Sequence, residues 1–373
     1  MKHKTTGLLA LAAILVVSGC NSSSNKPKKD TTSEETTVIH EGDYAALLPF
    51  EASSSRIKHA YTTNLNEAMI IGVGMMNLSK EHFSPDDYAY KESQFLSYDA
   101  LDATGLDRVG LLGRTSEKNP NGMNPAIGTE IDTNNGKKKI GSQDVLLIDI
   151  YELDWYDGKD LEGLSLGIVL NDEIGDSVNP DIVSDAKLRA YGEEVGRKVV
   201  SYLRKTHPEI GQKTPIYVTL FKESGVNTTL PGTFIEEAYF ESKTIGEYSR
   251  LNEAWALFPS SAATKLDSTN ATYFDRLVKE IKNFFPEDTA VIGTGHFKDK
   301  ELASLTIDIS MHAKTWPEAN AMMQKVNSSL SIFSSTSFAI KVRLKSDDVL
   351  IGAMQREKGS SKAVSYTHLK LVV

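Results

Sequence analysis

The sequence predicts an α+β fold: antiparallel sheets with packed helices, in two subdomains that follow a disordered tether. Three observations carry that expectation. Apolar and β-branched runs after residue 145 are joined by links short enough to demand antiparallel pairing. Stretches with apolar residues at helical spacing, near 184, 269 and 317, are each followed by at least two such runs. Residues 21–43, rich in Ser, Thr, Lys and Glu, hold too little apolar surface to fold.

The chain opens MKHKTTGLLALAAILVVSGC. Lys2 and Lys4 form a positive start, and Leu8 to Val17 is an apolar run of signal-peptide length. That run is too short for a permanent span, which needs about 20 apolar residues. Val17-Ser18-Gly19-Cys20 then resembles the lipobox of bacterial lipoproteins. Such a signal implies lipid on the Cys20 thiol and cleavage between Gly19 and Cys20, because a thiolate is the nucleophile that alkylation needs. The expected segments are a signal peptide over 1–19, a lipid-bearing tether over 20–43, α+β parts over 44–175 and 176–357, and a tail over 358–373. As a coil, the tether spans roughly 25 Å.

Order is expected from Tyr44. Residues 64–83 carry Leu65, Ala68, Met69, Gly72, Val73 and Met76 at helical spacing. Gly72 and Gly74 inside that helix argue for close packing against a neighbour, since each costs up to about 1 kcal/mol relative to Ala. A shorter helix is expected over 98–104. Residues 113–143 carry two Asn-Pro pairs and two Asn-Gly pairs with almost no periodicity, so they read as a long, compositionally specific loop. Its second half, 132–139, reads as a hairpin tip.

Strands are then expected over 145–153 and 164–170, with a turn at Tyr156-Asp157-Gly158. The polar, turn-rich 172–181 suits a subdomain boundary. A long helix over 184–206 ends at His207-Pro208. Strands over 215–221, 232–240 and 253–258 precede an amphipathic helix over 269–285. Strands over 289–293 and 302–311, a helix over 317–330 with Pro317 in its first turn, and strands over 338–344 and 349–354 complete the body. From about 364 the sequence VSYTHL matches the translation of a transposon adapter. Native sequence is therefore expected to end or diverge between 361 and 364, with the remainder adding at most an unpaired, exposed strand.

Composition narrows the function. Cys20 is the only cysteine, so once lipidated it leaves no thiol for a disulfide, a metal site or a nucleophile. The full chain carries a net charge of −9; losing Lys2 and Lys4 from 41 basic residues against 50 acidic ones leaves −11. That excess excludes nucleic acid as a partner and leaves membrane affinity to the lipid. The eight histidines form no ligand-spaced pair, and no HExxH, GxSxG or Walker sequence is present, so neither metal nor cofactor is expected.

Asp149, Glu152 and Asp154 would supply carboxylates for acid–base chemistry, or simply form a solvated strand end. Gly293-Thr294-Gly295-His296 reads as a hairpin turn. The strongest site candidate is the loop from Arg114. Its guanidinium offers a bidentate fork, and Asn119, Asn121 and Asn124 offer amides to a peptide or cell-wall ligand, the alternative being a self-bonded Asx-turn loop.

In order, GMMNLSKEHFSPDDY, LLGRTSEKNPNGMNPA, PIYVTLFKE, PGTFIEEAYF, WALFPS and GTGHFKDK together resemble the CamS family of Firmicutes lipoproteins, described as sex-pheromone precursors. The resemblance covers nearly the whole chain after the tether. It implies that a hydrophobic heptapeptide is cut from just before the lipidated cysteine. Here that slot is Ala13-Ile14-Leu15-Val16-Val17-Ser18-Gly19, whose Leu-Val-Val middle departs from the better-known peptides. The resulting expectation is a lipid-anchored protein on the outer face of the cell membrane, handled by the lipoprotein-processing enzymes and carrying a non-catalytic binding or structural body. The alternative is an extracytoplasmic solute-binding lipoprotein or a cell-envelope hydrolase.

Overall fold

The computed structural model describes residues 38–39, 43–59, 65–102, 109–242, 246–285, 289–312, 315–347 and 349–367. The lipobox, the heptapeptide slot and nearly all of the tether lie outside the described residues. Among the described residues, no helix is long and apolar enough to cross a membrane.

The chain first lays down β1 (Val38–Ile39), β2 (Ala45–Leu47), α1 (Ser54–His59), α2 (Leu65–Ser79), β3 (Ala89–Glu92) and α3 (Tyr98–Leu101). A detached hairpin follows, β4 (Glu130–Thr133) with β5 (Gly136–Lys139), as 132–139 foretold. Next come β6 (Leu147–Asp157), β7 (Asp160–Leu170), the short pair β8 (Glu173–Ile174) and β9 (Asp181–Ile182), α4 (Asp185–Thr206), β10 (Ile216–Lys222), β11 (Thr233–Phe240) and β12 (Tyr248–Arg250). The described strands of this part form a sheet in the order β1-β2-β3-β6-β7-β10-β11-β12.

The chain then builds a second sheet. It contains β13 (Glu253–Phe258), α5 (Ser261–Leu266), α6 (Ser268–Phe284), β14 (Thr289–Lys298), β15 (Glu301–Met311), α7 (Trp316–Ser329), β16 (Ala339–Ser346), β17 (Val349–Arg356) and β18 (Val364–Thr367). Its strands follow one another in sequence order. Segment 172–181 lies between β7 and α4, and the first sheet draws strands from both sides of it. The change of sheet falls between Arg250 and Glu253.

Most pairings are antiparallel, as the short links require. Three are parallel: β2 with β3, β7 with β10, and β15 with β16. The last two are crossovers spanned by α4 and α7, where the link is long enough to return the chain in the same direction.

The sheets differ in how they are covered. In the first, α2 packs Ile71, Met75 and Leu78 against Tyr151, Trp155, Val169 and Phe234 on one face. On the other face, α4 packs Leu188, Val195, Val199 and Leu203 against Ile168, Val218 and Leu220. Burial on both faces is why β7 and β10 read as continuous apolar runs. The second sheet has α6 and α7 on one face, with Phe274, Leu277, Ile281, Met322 and Val326 against Leu305, Ile307, Ile340 and Val342. Its strands alternate buried with half-buried or exposed residues because, among the described residues, no helix packs flat on the opposite face.

Three local expectations change. Gly74 does mark close packing, since a Cβ there would stand 2.1 Å from the Phe234 ring, but Gly72 faces open space. Gly293-Thr294-Gly295-His296 lies within β14 and is not a turn. Its glycines are there because Cβ atoms would meet Phe274 at 2.7 Å and Phe258 at 2.6 Å. Val364–Thr367 is paired, not unpaired: it runs antiparallel to β17, whose outer edge accepts it. Val364 and Tyr366 nonetheless stay exposed at 57% and 61%.

Candidate functional site

The Arg114 loop is built by local backbone pairing. Leu111 and Leu112 donate to Ala100 and Leu101 carbonyls, Met123 donates to Leu111 O, and Thr115 donates to Asn124 O. The turn closes at Asn121-Gly122, where a Cβ on residue 122 would sit 2.4 Å from Arg114 O, so only glycine fits. Tyr191 of α4 ties the loop to the body by donating to Met123 O at 3.0 Å.

Arg114, Asn119 and Asn124 come together around a cleft of about 690 Å³, with Leu112, Lys118, Gln143 and Val145 among its walls. Most of their polar atoms serve the chain itself. The Arg114 fork donates to the carbonyls of Pro125 (2.8 Å), Gly141 (3.0 Å), Ser142 (3.1 Å) and Asp144 (2.6 Å). Asn124 donates to Leu112 O and Leu147 O and accepts from the Leu146 and Leu147 amides, each bond 2.9–3.0 Å. Asn119 donates to Gly110 O at 2.9 Å. Asn121 stands exposed. The geometry is that of a hydrogen-bonded clamp beside an open cleft.

The carboxylates of β6 are buried, not solvated as a strand end would be. Asp149 pairs bidentately with Arg56 of α1 at 2.8 and 2.9 Å, and that guanidinium also covers the Tyr151 ring. Glu152 accepts the Phe95 and Leu96 amides at 2.8 and 2.7 Å; Asp154 accepts the Gln94 amide at 3.0 Å. Burial pushes both carboxyls up, Asp154 well above the ordinary range because the Glu152 charge adds to it. They are buried and anchor the segment leading into α3. Among the described residues, no group of three or more His, Cys, Asp or Glu side chains is placed to hold a metal.

Sequence reasoning missed a second cleft, of about 500 Å³, on the uncovered face of the second sheet. Thr294, Thr306, Lys341 and Gln355 line up there on four neighbouring strands, as the pairings Thr294↔Thr306, Thr306↔Lys341 and Lys341↔Gln355 require. Asn66 and Ile70 of α2, Thr229, Pro231 and Trp255 form its sides. Trp255 stacks on His296 with centroids 4.3 Å apart and donates its Nε1–H to Gly232 O. Arg343 lies on the same face, locked to Asp308 at 2.7 and 2.6 Å. The signal was the alternation Ile340-Lys341-Val342-Arg343-Leu344, which puts both cations on one side of a strand.

Comparison with known proteins gives the lineage. Among solved structures, the chain is similar to the sex pheromone precursor from Lactobacillus salivarius subsp. salivarius UCC118. The two are 24% identical over 89% of this chain and 98% of that one, with a TM-score of 0.75. It is also similar to the C-terminal domain of the sex pheromone staph-cAM373 precursor from Staphylococcus aureus, at 22% identity over 81% and 96%, with a TM-score of 0.65. At such identities the likeness is one of fold. No curated protein matches the chain. The family model described as CamS sex pheromone cAM373 precursor matches residues 50–362, through β17 and short of β18, and the chain belongs to that family.

Proposed function

We propose that this chain is exported, lipidated on Cys20 and held by that lipid at the outer face of the cell membrane. Cleavage between Gly19 and Cys20 makes Cys20 the mature N-terminus, and trimming of the freed signal releases Ala13 to Gly19 as a pheromone-like peptide. The body is a non-catalytic binding or structural module with no cofactor of its own. One observation carries the reading: the only cysteine follows a small-residue pair directly after a signal-length apolar run. Family membership supports it, and so does the net charge of −9, which leaves lipid as the source of membrane affinity. The engagement of Asp149, Glu152 and Asp154 with Arg56 and backbone amides supports a non-catalytic body over a hydrolase.

The test is metabolic labelling with a palmitate analogue. The wild type takes up label and partitions with membranes, and the culture medium yields the heptapeptide AILVVSG by mass spectrometry. Cys20→Ala abolishes both label and release. Lipid label persisting in that variant would refute the anchor.

A further inference from the structure

We propose that the uncovered face of the second sheet is a binding site for an acidic glycan, a sugar chain bearing carboxylates at intervals. The proposal rests on the reading that the body stands outside the cell, where wall glycan freed of its peptides carries such carboxylates. The site is the line Thr294–Thr306–Lys341–Gln355. At roughly 4.8 Å between neighbouring strands, these four side chains span about 14 Å, the length of a few sugar rings.

The chemistry of the line selects the ligand. Thr294 and Thr306 offer hydroxyls that both donate and accept, which matches a polyol. Neither hydroxyl makes a hydrogen bond to another described residue, and the Lys341 ammonium has no acidic partner among them. Arg343, one position along the same face, is by contrast neutralised by Asp308. Lys341 is thus a cation held ready for an anion, in a protein whose net charge of −9 repels anions elsewhere. Trp255 has spent its N–H on Gly232, so what it offers a ligand is ring surface, which suits the C–H face of a sugar. Asn66 and Gln355 flank the same cleft, the Gln355 amide N–H donating to Glu357.

A peptide fits less well. Peptide recognition by strand addition needs an open backbone edge, and β14, β15 and β16, which carry Thr294, Thr306 and Lys341, are each paired on both sides without counting β18. A plain polyanion would want a track of cations, where the line supplies Lys341 and three neutral hydrogen-bonding side chains.

The experiment uses the whole chain in detergent micelles. The probe is bacterial wall glycan strands freed of peptides by an amidase, which exposes a lactyl carboxylate on alternate sugars. Titration should show saturable binding with a change in tryptophan fluorescence. Lys341→Gln and Thr306→Val should each weaken it about tenfold while leaving the melting temperature in place, since both side chains lie outside the core. Methyl-esterified strands should bind wild type as weakly as native strands bind Lys341→Gln. Absence of saturable binding would overturn the site, as would an affinity that neither variant alters. Equal binding of polyglutamate, untouched by Thr306→Val, would reassign the face to peptides or to charge alone. Because Cys20 labelling is read separately, failure here is distinguishable from failure of the lipid anchor.

Discussion

Glu223 follows β10 directly, donating its amide to Leu170 O. Burial, reinforced by Glu67, Asp149 and Glu173, pushes its carboxyl up to about 7. A raised carboxyl binds its proton more tightly in the folded state. Its contribution to stability is therefore complete below the unfolded value of about 4.5 and is lost as pH rises toward 7. Glu223→Gln should then leave the melting temperature unchanged near pH 4 and raise it by a few degrees at pH 8, in a calorimetric pH series. Asn124 makes the opposite kind of contribution. Its buried amide pairs with two carbonyls and two amides, so Asn124→Ala removes four hydrogen bonds at once. Urea denaturation should show a loss of about 2–4 kcal/mol, read as a lower midpoint.

Helix α2 shows how an element's composition divides between its two faces. Its apolar content is high all round, yet Met69 and Val73 remain 59% and 60% exposed while Ile71 and Met75 are buried. Ser79 at its end donates to Met75 O and meets Ser165 Oγ at 2.8 Å, a hydroxyl that also receives the Trp155 indole N–H. That buried network fixes the helix against the sheet. The two glycines then behave differently. Gly72→Ala removes backbone entropy from the unfolded chain into empty space and should stabilise by about 0.5–1 kcal/mol. Gly74→Ala drives a methyl into Phe234 and should destabilise by about 1–3 kcal/mol, with the denaturation midpoint as readout in both cases.

At the scale of the whole molecule, one arrangement occurs twice. Hairpin β6–β7, helix α4 and hairpin β10–β11 follow the same order and pairing as β14–β15, α7 and β16–β17, with the middle pair parallel each time. Glu253 joins the two sheets: it accepts the Phe234 amide of β11 at 3.3 Å and lies 3.5 Å from His296 and 3.1 Å from Lys298 of β14. Burial alone would raise this carboxyl, but the His296 imidazole and the Lys298 ammonium outweigh it and hold it below its ordinary value. A depressed carboxyl stabilises the fold above its unfolded value of about 4.5, and that contribution is lost as pH falls through the folded value. Glu253→Gln should flatten the acid limb of a stability profile and cost about 1–2 kcal/mol at pH 7, measured by urea titration at a series of pH values.

The sequence by itself determined the α+β class and the long helices, because each is written locally, in hydrophobic period, caps and residue order. Helix α4 and hairpin β6–β7 were legible for that reason, and so was the hairpin at 132–139. The short α1 and α5 were not, since six residues are too few for a helical period to show. Only tertiary structure decided what the polar side chains do. Arg114 looked like a ligand's fork, yet the carbonyls it clamps arrive from residues 125–144 and depend on how the loop folds back. Glu152 and Asp154 looked like an exposed pair, yet backbone amides from residues 94–96 meet them across a strand pairing no local pattern records. The line Thr294–Thr306–Lys341–Gln355 is the same case in reverse. Its members are far apart in sequence and become a surface only through register, which the sum of contacts across a sheet sets and no short window of residues contains.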